Sequence, residues 1–182
     1  TNSIDLKKEY LITLRNSYLF KDIFELNNIK NPALLSDLLK LLAFQIGNEV
    51  SLSELASSLK ITRQKVEHYI DLLEKTFIIK KASGFSRNLR SEVTKTARYY
   101  FFDNGIRNSL INNFNPLEMR NDIGMLWENF LFIERIKKQH YRQIFSNNYF
   151  WRTYDRKEID LIEERDGKLF GFEFKWAKTK TS

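Results

Sequence analysis

Residues 51–81, SLSELASSLKITRQKVEHYIDLLEKTFIIKK, decide how the first half of the chain is read. Ser51-x-x-Glu54 is a capping box, in which a hydroxyl and a carboxylate satisfy the orphan N–H groups of a helix start. It opens a short helix whose inner face is Leu55, Ala56 and Leu59. Lys60-Ile61 makes a tight turn, and Thr62 caps a longer helix with Val66, Tyr69, Ile70 and Leu73 turned inward. FIIKK (77–81) and ARYYFF (97–102) are rich in β-formers and enclose a basic stretch. Two helices at a three-residue turn, followed by a hairpin with a long basic loop, make the pattern of a winged helix-turn-helix.

The outward side of the second helix carries Arg63, Gln64, Glu67, His68 and Asp71. In such modules the N-terminal residues of this helix reach base edges and the wing touches phosphates. Between Lys80 and Arg98 stand six basic residues and one acid, Glu92. The expected DNA contacts are therefore Arg63, Gln64, His68, Lys81, Arg87, Arg90 and Lys95. Glu67, Asp71 and Glu74 place acid on the same helix, which repels phosphate and leaves protein contact as the other use of the module.

Outward from this core, apolar residues from Leu11 to Leu26 recur at helical spacing, and Asn31-Pro32 caps a helix expected to run to about Ile46. Residues 103–121 read as a connector with one short helix. A long helix over 122–139 is apolar at Met125, Leu126, Trp127, Phe130, Leu131, Phe132 and Ile133, so burial on more than one side is expected. Glu128 lies inside that run, and a buried carboxylate is costly unless paired or bound to a cation.

Composition narrows the function classes. The 182 residues carry 30 Lys+Arg against 23 Asp+Glu, a net charge of +7 that permits attraction to nucleic acid. With no Cys and two distant His residues, disulfide frameworks, thiolate zinc sites, cysteine nucleophiles and histidine-rich metal centres are excluded. No apolar run reaches the roughly 20 residues that a membrane span needs. The start lacks an initiator Met and a signal-peptide core, so a cytoplasmic piece of a larger protein is expected.

The last third reads as three strands, YFWRTY, KEIDLIEE and KLFGFEFKW. Asp166-Gly167 is a strong hairpin signal, and a turn centred on it pairs residues whose numbers sum to 333. Asp160 then opposes Glu173, and Glu158 opposes Lys175, while Ile159, Leu161, Phe172 and Phe174 form the other face. Paired carboxylates beside a lysine suit metal-assisted phosphodiester cleavage: oxygen ligands hold Mg²⁺ or Mn²⁺, and the lysine orients water or adds positive charge. The plainer reading is a solvated face with carboxylate–lysine ion pairs. Like charges opposed across strands repel, so removing Asp160 is expected to leave stability unchanged or higher.

Glu128 on a helix, Asp160, and Glu173-x-Lys175 on the next strand resemble the PD-(D/E)xK nuclease superfamily, especially its RecB-like and Holliday-junction-resolvase-like branches. The resemblance implies that Asp160, Glu173 and Glu128 ligate the metal and that Lys175 assists the water; Ile159 stands where the superfamily's Pro would precede Asp160. The whole chain is similar to the C-terminal region of prokaryotic AAA-type ATPases, through YLFKDIFEL (18–26), RYYFFDNGIRNSL (98–110), GMLWENFLFIE (124–134) and WRTYDRKEIDLI (151–162). An ATPase domain precedes that region, whereas no G-x-x-x-x-G-K-[ST] loop occurs here, so ATP enters only through the missing upstream domain.

The expected architecture is α+β. Residues 1–102 form helices and a winged helix-turn-helix with its core at 50–102. Residues 103–121 connect, and 122–182 form a nuclease-like domain truncated at its end. Truncation leaves Phe172 and Phe174 exposed and favours self-association. The expected function is DNA binding coupled to a Mg²⁺-dependent nuclease-like site; the alternative is a non-catalytic interaction or regulatory module on a degenerate nuclease fold.

Overall fold

The computed structural model describes residues 3–17, 31–86, 97–153 and 157–176. The fold is mixed α+β. In chain order come α1 (Ser3–Leu14), α2 (Pro32–Phe44), β1 (Glu49–Val50), α3 (Leu52–Leu59), α4 (Arg63–Lys75), β2 (Ile79–Gly84) and β3 (Ala97–Phe101). Then follow α5 (Asn104–Leu110), a 3₁₀ turn (Leu117–Met119), α6 (Ile123–Tyr141), β4 (Asn147–Arg152), β5 (Glu158–Arg165) and β6 (Lys168–Phe172). The wing residues Arg87, Arg90 and Lys95 lie outside the described residues.

The helix starts follow from their caps. Asn31 Oδ1 accepts from Leu34 N at 3.1 Å, Ser51 Oγ from Glu54 N at 3.3 Å and Thr62 Oγ1 from Lys65 N at 3.3 Å. Each satisfies one donor that the helix cannot, worth about 1 kcal/mol. α3 ends at Lys60 in the left-handed region (φ 54°), which turns the chain into α4. Leu38, Leu42, Leu55, Val66 and Leu73 are buried between α2, α3 and α4. Full burial of each such side chain contributes roughly 1.5–3 kcal/mol.

The six strands make one sheet in the order β1-β3-β2-β4-β5-β6. β2 and β4 run parallel through Ser83↔Tyr149 and Gly84↔Phe150, and the other pairs are antiparallel. That one parallel junction fuses the strands beside α4 to the C-terminal hairpin. A second apolar cluster sits against α6: Ala82, Tyr100, Phe132, Ile133, Phe150 and Leu161. α6 is fastened to β3 by Asn129, whose Oδ1 accepts from Phe101 N at 2.7 Å and whose Nδ2 donates to Phe101 O at 2.8 Å. At its start, Asp122 accepts from Arg107 and from two nitrogens of Arg120. Burial alone would raise the Asp122 carboxyl, but the two arginines hold it down at about 2.

Two expectations about α6 and the last strand need correction. Burial of α6 on more than one side fails at Met125 and Phe130, which are 37% and 46% exposed. The sheet covers only the face that carries Leu126, Asn129, Phe132 and Ile133. Phe172 and Phe174, expected to be exposed, are half-buried against the α6 cluster. The Arg135 guanidinium also lies 4.9 Å over the Phe172 ring.

Candidate functional site

The hairpin has the register that its turn implies. Asp166 and Gly167 both have positive φ (52° and 71°), as a two-residue type I′ turn requires. Leu161 pairs with Phe172 and Arg165 with Lys168. The two faces nevertheless do not separate as the alternation predicts. Between Tyr149↔Ile162 and Trp151↔Ile159, β4 advances two residues while β5 advances three. The extra residue is a β-bulge, which turns consecutive side chains toward the same side. Asp160 and Leu161 are accordingly both buried on the α6 side.

Asp160 therefore meets the helix-borne Glu128, and between them lies a residue that sequence reasoning did not assign to the site. Arg98, the second residue of β3, is 2% exposed. Its Nη1 donates to Glu128 Oε1 at 3.3 Å and lies 4.0 Å from Asp160 Oδ1; its Nη2 donates to Glu158 Oε2 at 3.0 Å. The Tyr100 hydroxyl donates to the same Glu128 oxygen at 2.8 Å, and the Phe150 ring underlies the guanidinium at 4.7 Å. Asp160 Oδ2 accepts from Phe174 N at 2.7 Å, which extends the hairpin past the last paired residue of β6.

One guanidinium stands against three carboxylates, and their protonation reflects that. Burial pushes the Glu128 carboxyl up to about 7, against the Tyr100 hydrogen bond and the charge of Arg98, while Asp160 and Glu158 push it further. Asp160 is also raised, first by burial and then by Glu158 and Glu173, with the Phe174 N–H and Arg98 opposing. Burial disfavours the Arg98 charge, but Tyr100, Glu128 and Glu158 more than offset it.

The other two expected site residues are placed differently. Glu173 and Lys175 pair with each other at 2.8 Å, with side chains 53% and 77% exposed. Phe172 and Phe174 pack on the α6 cluster and Trp176 on Trp127, so the alternating Glu173 and Lys175 face outward. Their charges still influence Asp160, but no hydrogen bond or ion pair among the described residues joins them to Asp160 or Glu128. The shared face expected for Asp160, Glu173 and Lys175 is thus not found, because the bulge turns Asp160 inward.

The donor set does not fit a divalent cation as it stands. Among the described residues, no three carboxylate, imidazole or thiol groups are placed to hold one, and the Arg98 guanidinium occupies the space that Glu128 and Asp160 enclose. Only one signal in the sequence pointed to Arg98. It closes a basic run just where β-formers resume, so it belongs to a strand that continues into the core.

On α4 and β2, Arg63, Gln64, His68 and Lys81 are all exposed. Arg63 Nε is bound to Glu67 at 2.9 Å, and Lys75 to Asp71 at 2.7 Å. These pairs leave the outer face of α4 close to neutral. Among the described residues, no helix is long and apolar enough to cross a membrane.

Two family models match, both described as domains of unknown function: DUF8612 over residues 3–117 and DUF4143 over residues 123–182. The chain is similar to uncharacterized proteins of Mycobacterium tuberculosis and of Haemophilus influenzae. The first is 28% identical over 76% of this chain and 31% of the relative, the second 26% identical over 90% and 39%. The chain thus spans about a third of the length of the curated relatives that it matches. No solved structure matches it. The first model covers more than half of the 182 residues, and the chain belongs to its family, the domain of unknown function DUF8612.

Proposed function

We propose that this chain is a DNA-associated regulatory module of a longer protein with an AAA-type ATPase domain. A winged helix-turn-helix (residues 50–102) binds duplex DNA, and a nuclease-like half (residues 122–182) organises the module without cutting. The observation that carries the non-cutting part is Arg98, whose buried guanidinium lies among Glu128, Glu158 and Asp160. The DNA part is supported by the exposed Arg63, Gln64 and His68 on the second of two helices joined by a three-residue turn. It is supported further by the net charge of +7. The place within an ATPase is supported by the resemblance set out above and by relatives long enough to hold another domain.

The near-neutral face of α4 puts the electrostatic weight on the wing. Phosphate neutralisation releases counterions, with about 0.9 unit of salt slope per phosphate contact. Fluorescence anisotropy of a labelled duplex should give weakly sequence-dependent binding that falls steeply with salt. Replacing Arg87, Arg90 and Lys95 with Ala should flatten the slope by up to about 2–3 units. No binding at low salt, or an unchanged slope, would turn the reading to protein contact.

A second reading, a Mg²⁺-dependent nuclease, is favoured by one observation. The raised Glu128 and Asp160 carboxyls are a charge imbalance that a divalent cation would relieve. Mg²⁺-dependent nicking of supercoiled plasmid that disappears in Asp160→Ala would establish that reading over ours.

A further inference from the structure

We infer that Arg98 is the resident cation of the carboxylate pocket and stands where a divalent metal would have to sit. The inference rests on the non-cutting reading and adds an identity for the charge that holds the pocket together. One nitrogen of Arg98 is 3.3 Å from Glu128 and 4.0 Å from Asp160, so a metal shared by these two carboxylates would compete with the guanidinium for the same oxygens. A divalent ion about 2.1 Å from those oxygens would also set two cations side by side in a largely buried pocket. Arg98 is suited to the place: the guanidinium is permanently charged, planar, and able to serve several carboxylates at once.

The arginine is also unable to swing out. It is 2% exposed, its guanidinium rests on the Phe150 ring, and the neighbouring Tyr100 is stacked on Phe132 with centroids 3.9 Å apart. The cation comes from β3 and the carboxylates from α6 and β5, so a single side chain ties the strand beside the helix-turn-helix to the nuclease-like hairpin. A free metal ion would leave that tie dependent on solution conditions. A covalently attached guanidinium makes it permanent.

The test is Mn²⁺ titration followed by electron paramagnetic resonance, which reads free Mn²⁺ directly. The wild-type chain should leave the free Mn²⁺ signal unchanged into the millimolar range. Arg98→Met, which empties the pocket of its cation at similar volume, should bind Mn²⁺ at least about tenfold more tightly than wild type. Adding Asp160→Asn should remove that gain. Arg98→Lys keeps a positive charge in the pocket and should resemble wild type, and it provides the comparison if Arg98→Met does not fold. Stoichiometric Mn²⁺ binding by wild type that is lost in Asp160→Asn would overturn the inference, as would a folded Arg98→Met that binds no better than wild type. Failure of duplex binding in the anisotropy experiment would remove the DNA reading and leave these Mn²⁺ results standing.

Discussion

Arg98→Met should lower the unfolding free energy by about 3–5 kcal/mol, as removal of one partner from a buried ion network does. The cost does not come from lost attraction alone. Glu128, Glu158 and Asp160 converge on one guanidinium, and without it the largely buried Glu128 and Asp160 lose their countercharge, with the half-exposed Glu158 at the rim. Glu128 and Asp160 are already raised with Arg98 present, so its loss drives both further toward protonation. A carboxyl raised in the folded state contributes stability that is present below its unfolded value and is lost as pH rises through its folded value. For Glu128 in wild type that loss falls between about 4.5 and about 7. In Arg98→Met the window should extend upward, and urea unfolding across pH 4–8 should show the deficit growing with pH. Converting Glu128→Gln and Asp160→Asn in the same chain should restore much of the loss, because neutral side chains need no counterion.

A comparable loss, again about 3–5 kcal/mol, is expected for Arg135→Met. Glu163 is fully buried, and both of its oxygens accept from Arg135, one at 2.8 Å. Arg165 lies 3.6 Å away and is too far to replace that bidentate geometry. Burial would raise the Glu163 carboxyl, but hydrogen bonds from Arg135 and Gln139 hold it below its ordinary value. In wild type the contribution is therefore present at neutral pH and lost as the solution is acidified. Removal of Arg135 leaves burial opposed only by the Gln139 hydrogen bond and the charge of Arg165, so the deficit should be largest at neutral pH and shrink in acid. The substitution also removes the guanidinium from the Phe172 ring and so loosens β6. Guanidinium-free urea melts followed by tryptophan fluorescence would read both the loss and its pH dependence.

The contrast between these sites and the rest of the molecule shows what the sequence discloses. Local chemistry was legible. Asn31, Ser51 and Thr62 cap their helices as the side-chain pattern implies. The Asp166-Gly167 turn sets Leu161 against Phe172 because only one register suits a two-residue loop. Glu128 stood out because a carboxylate in an apolar helix must find a partner, and it did. What escaped were consequences of long-range pairing. The two-residue strand β1 has almost no local signal, and its existence follows from pairing with β3. The bulge in β5 arises from how β4 docks on it, and nothing in KEIDLIEE reveals the extra residue. Arg98 read as the end of a basic loop. It became buried because β2 pairs with β4, which brings β3 within reach of the hairpin. Each miss therefore lies at a contact between segments far apart in the chain, and two of them meet at the carboxylate pocket.

The pocket's role also reverses the expectation for Asp160. Opposed carboxylates suggested that its removal would relieve repulsion. In the folded chain, however, one Asp160 oxygen accepts from Phe174 N at 2.7 Å and the other lies 4.0 Å from the Arg98 guanidinium. Loss of the first bond leaves a backbone donor without its acceptor, and a hydrogen bond to a charged group contributes about 1.5–3 kcal/mol. The most direct test of a carboxylate cluster held by Arg98 is the unfolding free energy of Asp160→Ala by urea titration at pH 7. A structural network predicts a loss of about 2 kcal/mol or more. Unchanged or increased stability would contradict it, and would mark Asp160 as a repelled carboxylate waiting for a metal.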